Sequence, residues 1–353
     1  MNIDELDFHL PPELIAQTPA ADRAASRLLH YRRDTREIVH RNFADLTTLL
    51  RAGDLMVFNN TRVAPVRFTL QKPTGGIVDG LLVGPAAGGL VRAMLRNLGP
   101  VHSEVPLRFV DAPQALAYAI EKTTDGEYIM RIEGIAGSPW AFLDRVGRMP
   151  LPPYIRRGRV HDERDGLDRE RYQTVYARSD ETEGHASIAA PTAGLHFTPQ
   201  LLQQIDGMGV ERAFVTLQVG QGTFKPVTAE RVEDHAMHAE AYALSAEAAD
   251  ALSRAKSAGR RIVAVGTTSA RVLESQPADR PFAQTYAETS IFIYPPYQWR
   301  HVGALVTNFH LPRSTLVALV AAMVGLDEQR RIYAAAVEQR YRFFSYGDAM
   351  LIE

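Results

Sequence analysis

A histidine and a glutamate two residues apart form the clearest candidate for acid–base chemistry in this sequence. The segment 234–245 reads Asp-His-Ala-Met-His-Ala-Glu-Ala-Tyr-Ala-Leu-Ser and alternates in polarity through its second half. In a β-strand this alternation places His238, Glu240 and Tyr242 on one face. An imidazole beside a carboxylate can move a proton, and with His235 the pair could also bind a metal ion. Acid–base or substrate contact, a metal site and a structural role all remain open.

Three polar loops, each between an apolar run and a predicted helix, supply a second set of reactive groups. They are Pro-Thr-Ala-Gly-Leu-His-Phe-Thr (191–198), Gly-Thr-Thr-Ser (266–269) and Thr-Asn-Phe-His-Leu-Pro-Arg-Ser-Thr (307–315). The runs before them are typical of buried strands and cover 187–190, 261–265 and 303–306. In a parallel α/β sheet such loops lie at the carboxyl ends of the strands, where ligands bind. The sequence therefore predicts one composite active site.

Within these loops, two histidines and a run of hydroxyls are candidates for substrate contact. His196 and His310 occupy equivalent strand-to-helix positions, each next to a phenylalanine. Thr267, Thr268 and Ser269 lie at a predicted helix N-terminus, which suits a carboxylate or phosphate. Solvated or capping histidines, and helix capping by Ser269, are the structural alternatives.

Two further segments carry polar and aromatic groups. Asn59-Asn-Thr-Arg62 follows an apolar strand, so Asn60 and Arg62 are predicted at the same edge of the sheet. The last segment, 341–352, contains four aromatic residues, an arginine and an aspartate within eight residues. Its rings either close the core or stack on a base of a ligand.

Composition excludes several classes of protein. The 353 residues contain no cysteine, which excludes disulfides, zinc–thiolate sites and a cysteine nucleophile. The P-loop, dinucleotide, H-E-x-x-H and G-x-S-x-G motifs are missing. Net charge is −2, but six arginines lie between 145 and 164, either as a solvated linker or as a phosphate-binding surface. Neither a signal peptide nor a membrane span is predicted, so we expect a cytoplasmic protein.

The elements that must position these groups indicate two domains. Residues 63–149 contain short β-like runs separated by Gly- and Pro-rich turns, which is typical of a small antiparallel barrel. The flanking parts, 1–62 and 150–353, alternate strands and helices. We therefore predict a discontinuous three-layer α/β catalytic domain with an inserted β-barrel domain. Ser138, Thr198, Ser245 and Ser314 are predicted helix caps.

With these residues described, the chain closely resembles the S-adenosylmethionine:tRNA ribosyltransferase-isomerases of queuosine biosynthesis. The likeness runs from residue 7 to residue 352 through ordered motifs. They are 7–19, 58–63 (Phe-Asn-Asn-Thr-Arg-Val), 150–155 (Pro-Leu-Pro-Pro-Tyr-Ile), 172–177 (Tyr-Gln-Thr-Val-Tyr-Ala), 189–198, 235–242, 266–269, 307–312 and 341–352.

The resemblance implies a two-domain enzyme with an unusual reaction. The ribosyl part of S-adenosylmethionine is transferred to 7-aminomethyl-7-deazaguanine at the wobble position of a tRNA and isomerised, giving epoxyqueuosine, adenine and methionine. S-adenosylmethionine is consumed as a substrate, and no metal or other cofactor is expected. A monomer is also expected.

That chemistry suggests roles for the candidate residues. The sulfonium acidifies the C5′ protons, so one base can start the reaction, and departing adenine needs a general acid. We hypothesise that Glu240 with His238 supplies the base and that His196 or His310 protonates adenine. Predicted substrate contacts are Asn60, Arg62, Thr192, Thr267, Thr268, Ser269, Asn308, Arg342, Phe343, Tyr346 and Asp348. Predicted contacts to tRNA phosphates are Arg156, Arg157 and Arg159.

The chain departs from the family pattern at three positions. Gln218 replaces a histidine, Gln221 replaces a small apolar residue, and His185 stands in a segment where the family has Gly-Ser. Gln218 cannot titrate, so it is either a scaffold or a sign that protons are handled elsewhere. Two rival classes remain: a metal-dependent hydrolase using His235, His238 and Glu240, and a non-catalytic tRNA-binding protein.

Overall fold

The computed structural model describes residues 1–178, 187–220 and 229–353, which divide into two compact units. The first, called the α/β unit, comprises Met1–Thr61, Thr174–Ala177 and Ala190–Glu353. The second, called the barrel unit, comprises Arg62–Gln173 and Arg178–Ala189. The predicted fold class, an α/β domain interrupted by an antiparallel barrel, is confirmed.

The boundary after the barrel lies further along the chain than predicted. The sequence analysis assigned residues 150–173 to the α/β domain, whereas the structure assigns them to the barrel unit. In the structure this Pro- and Arg-rich segment stays hydrogen-bonded to the barrel. The Thr69 hydroxyl donates to the carbonyl of Arg159 (2.8 Å), and the Gln173 side chain donates to the carbonyl of Val63 (3.1 Å). A composition typical of a linker therefore encodes a packed extension of the barrel unit.

The strands are numbered in chain order. They are β1 (Arg27–Arg32), β2 (Glu37–Asn42), β3 (Leu55–Asn59), β4 (Arg67–Gln71), β5 (Ile77–Pro85), β6 (Val91–Arg96), β7 (Leu107–Phe109), β8 (Leu116–Lys122), β9 (Tyr128–Glu133), β10 (Glu211–Leu217), β11 (Glu240–Leu244), β12 (Ile262–Val265), β13 (Thr285–Thr289), β14 (Ala304–Asn308) and β15 (Ala349–Ile352). The helices are α1 (Pro139–Val146), α2 (Asp165–Arg171), α3 (Pro199–Gly207), α4 (Ala246–Ser257), α5 (Thr267–Glu274), α6 (Thr315–Val324) and α7 (Leu326–Glu338).

In the α/β unit, the described strands form one mixed sheet in the order β13-β11-β10-β3-β12-β14-β15-β1-β2. Its centre, β10-β3-β12-β14, is parallel. Every residue of β3, β12 and β14 is buried, as expected for parallel strands that are covered on both faces. Within the described residues, no helix is long and apolar enough to cross a bilayer.

The barrel unit closes six strands in the order β4-β5-β6-β9-β8-β7, with β7 returning to β4. Its core alternates along the strands, with Phe68 and Leu70 of β4 pointing inward. The sequence did not identify β8, whose inward positions are the small residues Ala117 and Ala119. The periodic signal was weak there because alanine contrasts little with polar neighbours.

The predicted helix starts are confirmed at four positions. The side chains of Ser138, Thr198, Ser245 and Ser314 each accept a hydrogen bond from a backbone N–H in the following turn. Helix α5 begins differently: Gly266 (φ 88°) precedes Thr267 without a side-chain cap. The left-handed backbone at Gly266 favours glycine, which turns the chain sharply from β12 into α5.

The predicted strand at 187–190 is wrong. Ser187 makes an isolated parallel bridge to Val63, and no ladder continues from it in the described residues. Pro191 has no N–H, and a short 3-10 helix, Thr192–His196, begins directly after it. A ladder hydrogen bond therefore cannot be donated at Pro191, where the extended segment ends.

Candidate functional site

The three polar loops do converge at one edge of the sheet. Strands β3, β12 and β14 are parallel, so their carboxyl ends point the same way. A Cβ atom added to Gly266 would lie 3.7 Å from the Cβ of Ala193, so two loops touch. The Asn308 side-chain nitrogen lies 3.3 Å from Nε2 of His196, so the third loop (307–315) contacts the first (191–198).

His196 lies beneath this edge rather than on it. Its Nδ1 pairs with the Ser26 hydroxyl at 2.7 Å, and its ring stacks on Phe43 with centroids 4.9 Å apart. Burial, with smaller contributions from the charges of Arg23 and Arg342, lowers the pKa of His196 to about 3. At neutral pH the ring lacks the proton that the hypothesised general acid must donate.

His310 is in the same situation. Its Nε2 pairs with the Thr307 hydroxyl at 2.9 Å, and its backbone N–H donates to the Tyr333 hydroxyl at 3.3 Å. Burial alone lowers the pKa of His310 to about 3. Both loop histidines are therefore neutral, hydrogen-bonded core residues, and the structure does not favour either as the acid.

The C-terminal segment closes the core, which was one of its two predicted roles. Phe343 is fully buried against Phe309, with ring centroids 5.2 Å apart. Asp348 accepts the backbone N–H groups of Arg27 (2.9 Å) and Arg342 (2.8 Å), and burial raises the pKa of its carboxyl. Tyr346 is buried as well, and the guanidinium of Arg342 donates to the carbonyl of Thr18. These groups hold the C-terminal segment in place.

The predicted hydroxyl cluster is only partly accessible. Ser269 is fully buried and donates to the carbonyl of Val265 at 2.8 Å, which leaves it no proton for a ligand. Thr267 is buried, whereas Thr268 is half-buried, and its Oγ1 lacks a hydrogen-bond partner in the described part of the chain. Thr192 is half-buried and begins the short 3-10 helix that follows Pro191.

Asn60 and Arg62 fall in different units. The side-chain oxygen of Asn60, in the α/β unit, accepts from the Thr216 hydroxyl at 2.7 Å. Arg62 belongs to the barrel unit, where its guanidinium pairs with Asp144 at 2.8 Å. Asn308 is buried and donates to the carbonyl of Phe344 at 3.0 Å, which makes it a link between loop and C-terminal segment.

A pocket at the same edge of the α/β unit gathers the residues of the His–Glu segment. Glu240 opens β11, which runs antiparallel to β10, so Glu240 lies beside the carboxyl end of β10. The lining is His235, Met237, His238, Glu240, Arg271, Ile291, Phe292, Ile293, Thr315, Leu316 and Leu319. The pocket thus combines the charged groups of Glu240 (β11) and Arg271 (α5) with apolar side chains that include Leu316 and Leu319 of α6.

On β11, Glu240 and Tyr242 share the buried face, as the alternation predicted, whereas His238 precedes the strand and is exposed. The two oxygens of Glu240 accept from the Gly220 N–H (3.0 Å) and from the guanidinium of Arg271. Glu240 therefore holds Arg271 in place, and this occupation of both oxygens weakens the hypothesis that it is the base.

Burial lowers the pKa of His235, and the nearby His238 lowers this pKa further. His235 is therefore neutral near pH 7 and can accept a proton. Among the described residues, no group of three His, Cys, Asp or Glu side chains is arranged to hold a metal ion. The metal-hydrolase hypothesis accordingly finds no support in the geometry.

Sequence reasoning missed Arg271. It lies in α5 between Ala270 and Val272, both fully buried. An arginine inside such an apolar stretch, two residues beyond the Gly-Thr-Thr-Ser loop, was the available signal, because buried arginine requires acceptors. Gln218 is half-buried and pairs with Ala241 through its backbone N–H (2.9 Å), whereas His185 and Gln221 lie outside the described residues.

The predicted tRNA contacts lie in the barrel unit and divide into two kinds. Arg157 makes a bidentate pair with Asp168 (2.5 and 2.9 Å), and both side chains are almost fully buried. That pair fixes the extension of the barrel, so Arg157 cannot reach a phosphate. Arg156 and Arg159 are exposed, with Arg159 paired to Asp79 at 2.9 Å.

Comparison with known proteins decides the family. The model for queuosine biosynthesis proteins matches residues 3–352. The chain belongs to the queuosine biosynthesis family. Members of this family from Dechloromonas aromatica and Staphylococcus epidermidis are both named S-adenosylmethionine:tRNA ribosyltransferase-isomerase. Each is 45% identical, over 100% of this chain and 97% and 100% of their own lengths. The predicted resemblance is thus confirmed.

A solved structure agrees with this queuosine-family assignment. The crystal structure of an S-adenosylmethionine tRNA ribosyltransferase from Thermotoga maritima shares 33% identity and a TM-score of 0.55, covering 99% of this chain and 100% of its own. A relative from Anaeromyxobacter with the same name as the two above is 47% identical over 100% of this chain and 99% of its own. The rival classes, a hydrolase and a non-catalytic binder, are not supported by these matches.

Proposed function

We propose that this queuosine-family protein is an S-adenosylmethionine:tRNA ribosyltransferase-isomerase. It transfers the ribosyl part of S-adenosylmethionine to 7-aminomethyl-7-deazaguanine in tRNA and isomerises it, releasing adenine and methionine. The observation that carries this proposal is full-length identity of 45% to relatives of that name. S-adenosylmethionine is a substrate in this proposal, and the reaction uses no further cofactor.

The proposed reaction centre is the pocket at the strand ends. The sulfonium of S-adenosylmethionine acidifies the neighbouring C5′ protons, so a positioned neutral imidazole can act as the general base. His235 is kept neutral by burial, and His238 lies beside it at the mouth of the pocket. We assign proton abstraction to this histidine pair and a positioning role to Glu240.

Incubation of the protein with S-adenosylmethionine and tRNA carrying 7-aminomethyl-7-deazaguanine tests the activity. Mass spectrometry of the nucleosides is expected to find epoxyqueuosine, with adenine and methionine released in equal amounts. Retention of activity in a chelator is also expected. Binding of tRNA without consumption of S-adenosylmethionine would instead favour a non-catalytic tRNA-binding protein.

Replacing both His235 and His238 by glutamine is expected to lower kcat by about 100-fold or more, the usual loss when a general base is removed. The Kd for S-adenosylmethionine should change little, because the base acts in the chemical step. Single-turnover kinetics and calorimetry measure the two quantities. His9→Gln, at an exposed histidine far along the chain, is the control. Equal kcat in the variant and the control would remove the histidine pair from the mechanism.

The tRNA surface is proposed to include Arg156 and Arg159. Replacing both by glutamine should reduce the slope of log Kd against log salt by about 1.4 to 1.8, because each phosphate contact releases roughly 0.7–0.9 counterions. Arg131→Gln is the matched control, since Arg131 is a half-exposed arginine of the same unit that is paired to Glu133. An unchanged slope in the double variant would contradict the assignment.

We also propose a cytoplasmic location, because the substrates are tRNA and a small metabolite. The protein is further proposed to be a monomer. Light scattering during size-exclusion chromatography is expected to give a mass close to the chain mass of 39.1 kDa.

A further inference from the structure

The guanidinium of Arg271 is incompletely satisfied in a closed environment. Its Nη1 donates to Glu240 and its Nε to the carbonyl of Ile291 at 3.3 Å. Its Nη2 is buried and has no hydrogen-bond partner among the residues the structure describes. The side chain is 9% exposed and lines the pocket. A buried donor without an acceptor is costly, so this arrangement is suited to a ligand that brings one.

The surroundings favour an anionic acceptor. Glu240 neutralises Arg271 and fixes its plane, and it is itself held by the N–H of Gly220 (3.0 Å). The first turn of α6, with Thr315 and Leu316, lines the same pocket, and the N-terminal end of a helix is electropositive. The other titratable groups facing the pocket are His235 and His238, so Glu240 is its one carboxylate among the described lining residues.

The walls restrict what the anion can be attached to. Ile291, Phe292 and Ile293 form one side, and Leu316 and Leu319 of α6 form another. An apolar chain ending in a carboxylate fits such a pocket. A tRNA phosphate does not, because phosphodiesters are bound by several exposed donors rather than against hydrocarbon.

We infer that Arg271 binds the α-carboxylate of the methionine part of S-adenosylmethionine, with the methylene groups of that part packed on the apolar wall. This inference rests on the proposed function. It also explains the charge pair: Glu240 orients the guanidinium so that Nη2 faces the ligand. Glu240 is thus a positioning residue, and Arg271 is the specificity-determining contact.

Decarboxylated S-adenosylmethionine, which lacks only the carboxylate, provides the test. By calorimetry, the wild-type protein is expected to bind it about 10- to 100-fold more weakly than S-adenosylmethionine, the range for one charge-assisted hydrogen bond. Arg271→Gln should bind S-adenosylmethionine 10- to 100-fold more weakly and lose the discrimination between the two ligands. Arg254→Gln, at an exposed arginine paired with Glu211, is the control and should keep it.

Each other outcome overturns the inference. If the wild-type protein bound the two ligands with equal affinity, the inference would be wrong. This test needs no variant, so it still applies if Arg271→Gln does not fold. Discrimination that survives in folded Arg271→Gln would also overturn the inference. If that variant bound S-adenosylmethionine normally but an anticodon stem-loop weakly, the bound anion would be a tRNA phosphate. Failure of wild type to bind or consume S-adenosylmethionine would reject the proposed function itself.

Discussion

Replacing Glu274 by alanine is expected to lower the free energy of unfolding of the α/β unit by about 3–5 kcal/mol. Glu274 is the last residue of α5 and is fully buried. One oxygen accepts the backbone N–H groups of His301 (2.9 Å) and Val302 (3.0 Å). The other accepts the N–H of Arg300 (3.0 Å) and the Tyr297 hydroxyl (3.1 Å). Alanine leaves these donors without an acceptor in a closed environment.

Urea denaturation followed by tryptophan fluorescence measures this loss. Trp299 reports on the α/β unit, since its Nε1 donates to the carbonyl of Ala322 at 3.0 Å. The second of the two tryptophans, Trp140, lies in the barrel unit and is replaced by phenylalanine in all variants. Separate reporting matters because a two-unit chain need not unfold in one step.

Glu247→Ala, at an exposed glutamate in the first turn of α4, is the control for Glu274. It should cost about 1 kcal/mol or less, because it removes a favourable helix-terminus charge and no buried partner. If Glu274→Ala lowered the free energy of unfolding by no more than Glu247→Ala does, solvent would be replacing the carboxylate as the acceptor, and the prediction would be wrong. Glu274→Gln is expected to lie between the two, because one acceptor oxygen remains.

The sequence was informative wherever the signal was local. Strands β12 and β14 were predicted from short apolar runs, and Thr198 and Ser314 were predicted as caps, because each depends on neighbours within a few residues. The division into an α/β part and a β-barrel part followed from a change of pattern at Val63 that extends over many residues.

The sequence was uninformative where distant segments decide the environment. His196 is buried by Ser26 and Phe43, each more than 150 residues away along the chain, and nothing local distinguishes it from a solvated loop histidine. The partners of Arg157 and Arg271 are likewise visible only in the fold. Side-chain type and spacing therefore located the edge of the sheet that carries the pocket but not which polar groups reach it.

The two buried histidines are expected to make the protein sensitive to acid. Burial lowers the pKa of both His196 and His310 to about 3, whereas an unfolded chain titrates near 6.5. Between these values the unfolded state binds more protons, so stability is present above about pH 6.5 and is lost as pH falls toward 3. From pH 7 to pH 5 each histidine should cost about 2 kcal/mol.

Comparison with a variant isolates this contribution. His196→Asn/His310→Asn should start from a lower stability at pH 7 but lose about 4 kcal/mol less than wild type between pH 7 and pH 5. The other titrating groups are common to both proteins, so they cancel in the difference, including Asp348, whose raised pKa acts in the opposite direction. Urea midpoints read from Trp299 at the two pH values provide the measurement.

The single variants protect this test against a double variant that does not fold, because each should remove about half of the difference. Replacement of the exposed His9 by asparagine should leave the pH dependence as in wild type. If wild type and His310→Asn lost the same stability between pH 7 and pH 5, the ring of His310 would be protonated without unfolding. That result would return His310 to the candidates for the acid that protonates adenine, because a ring that titrates in the folded protein can donate a proton at the strand ends.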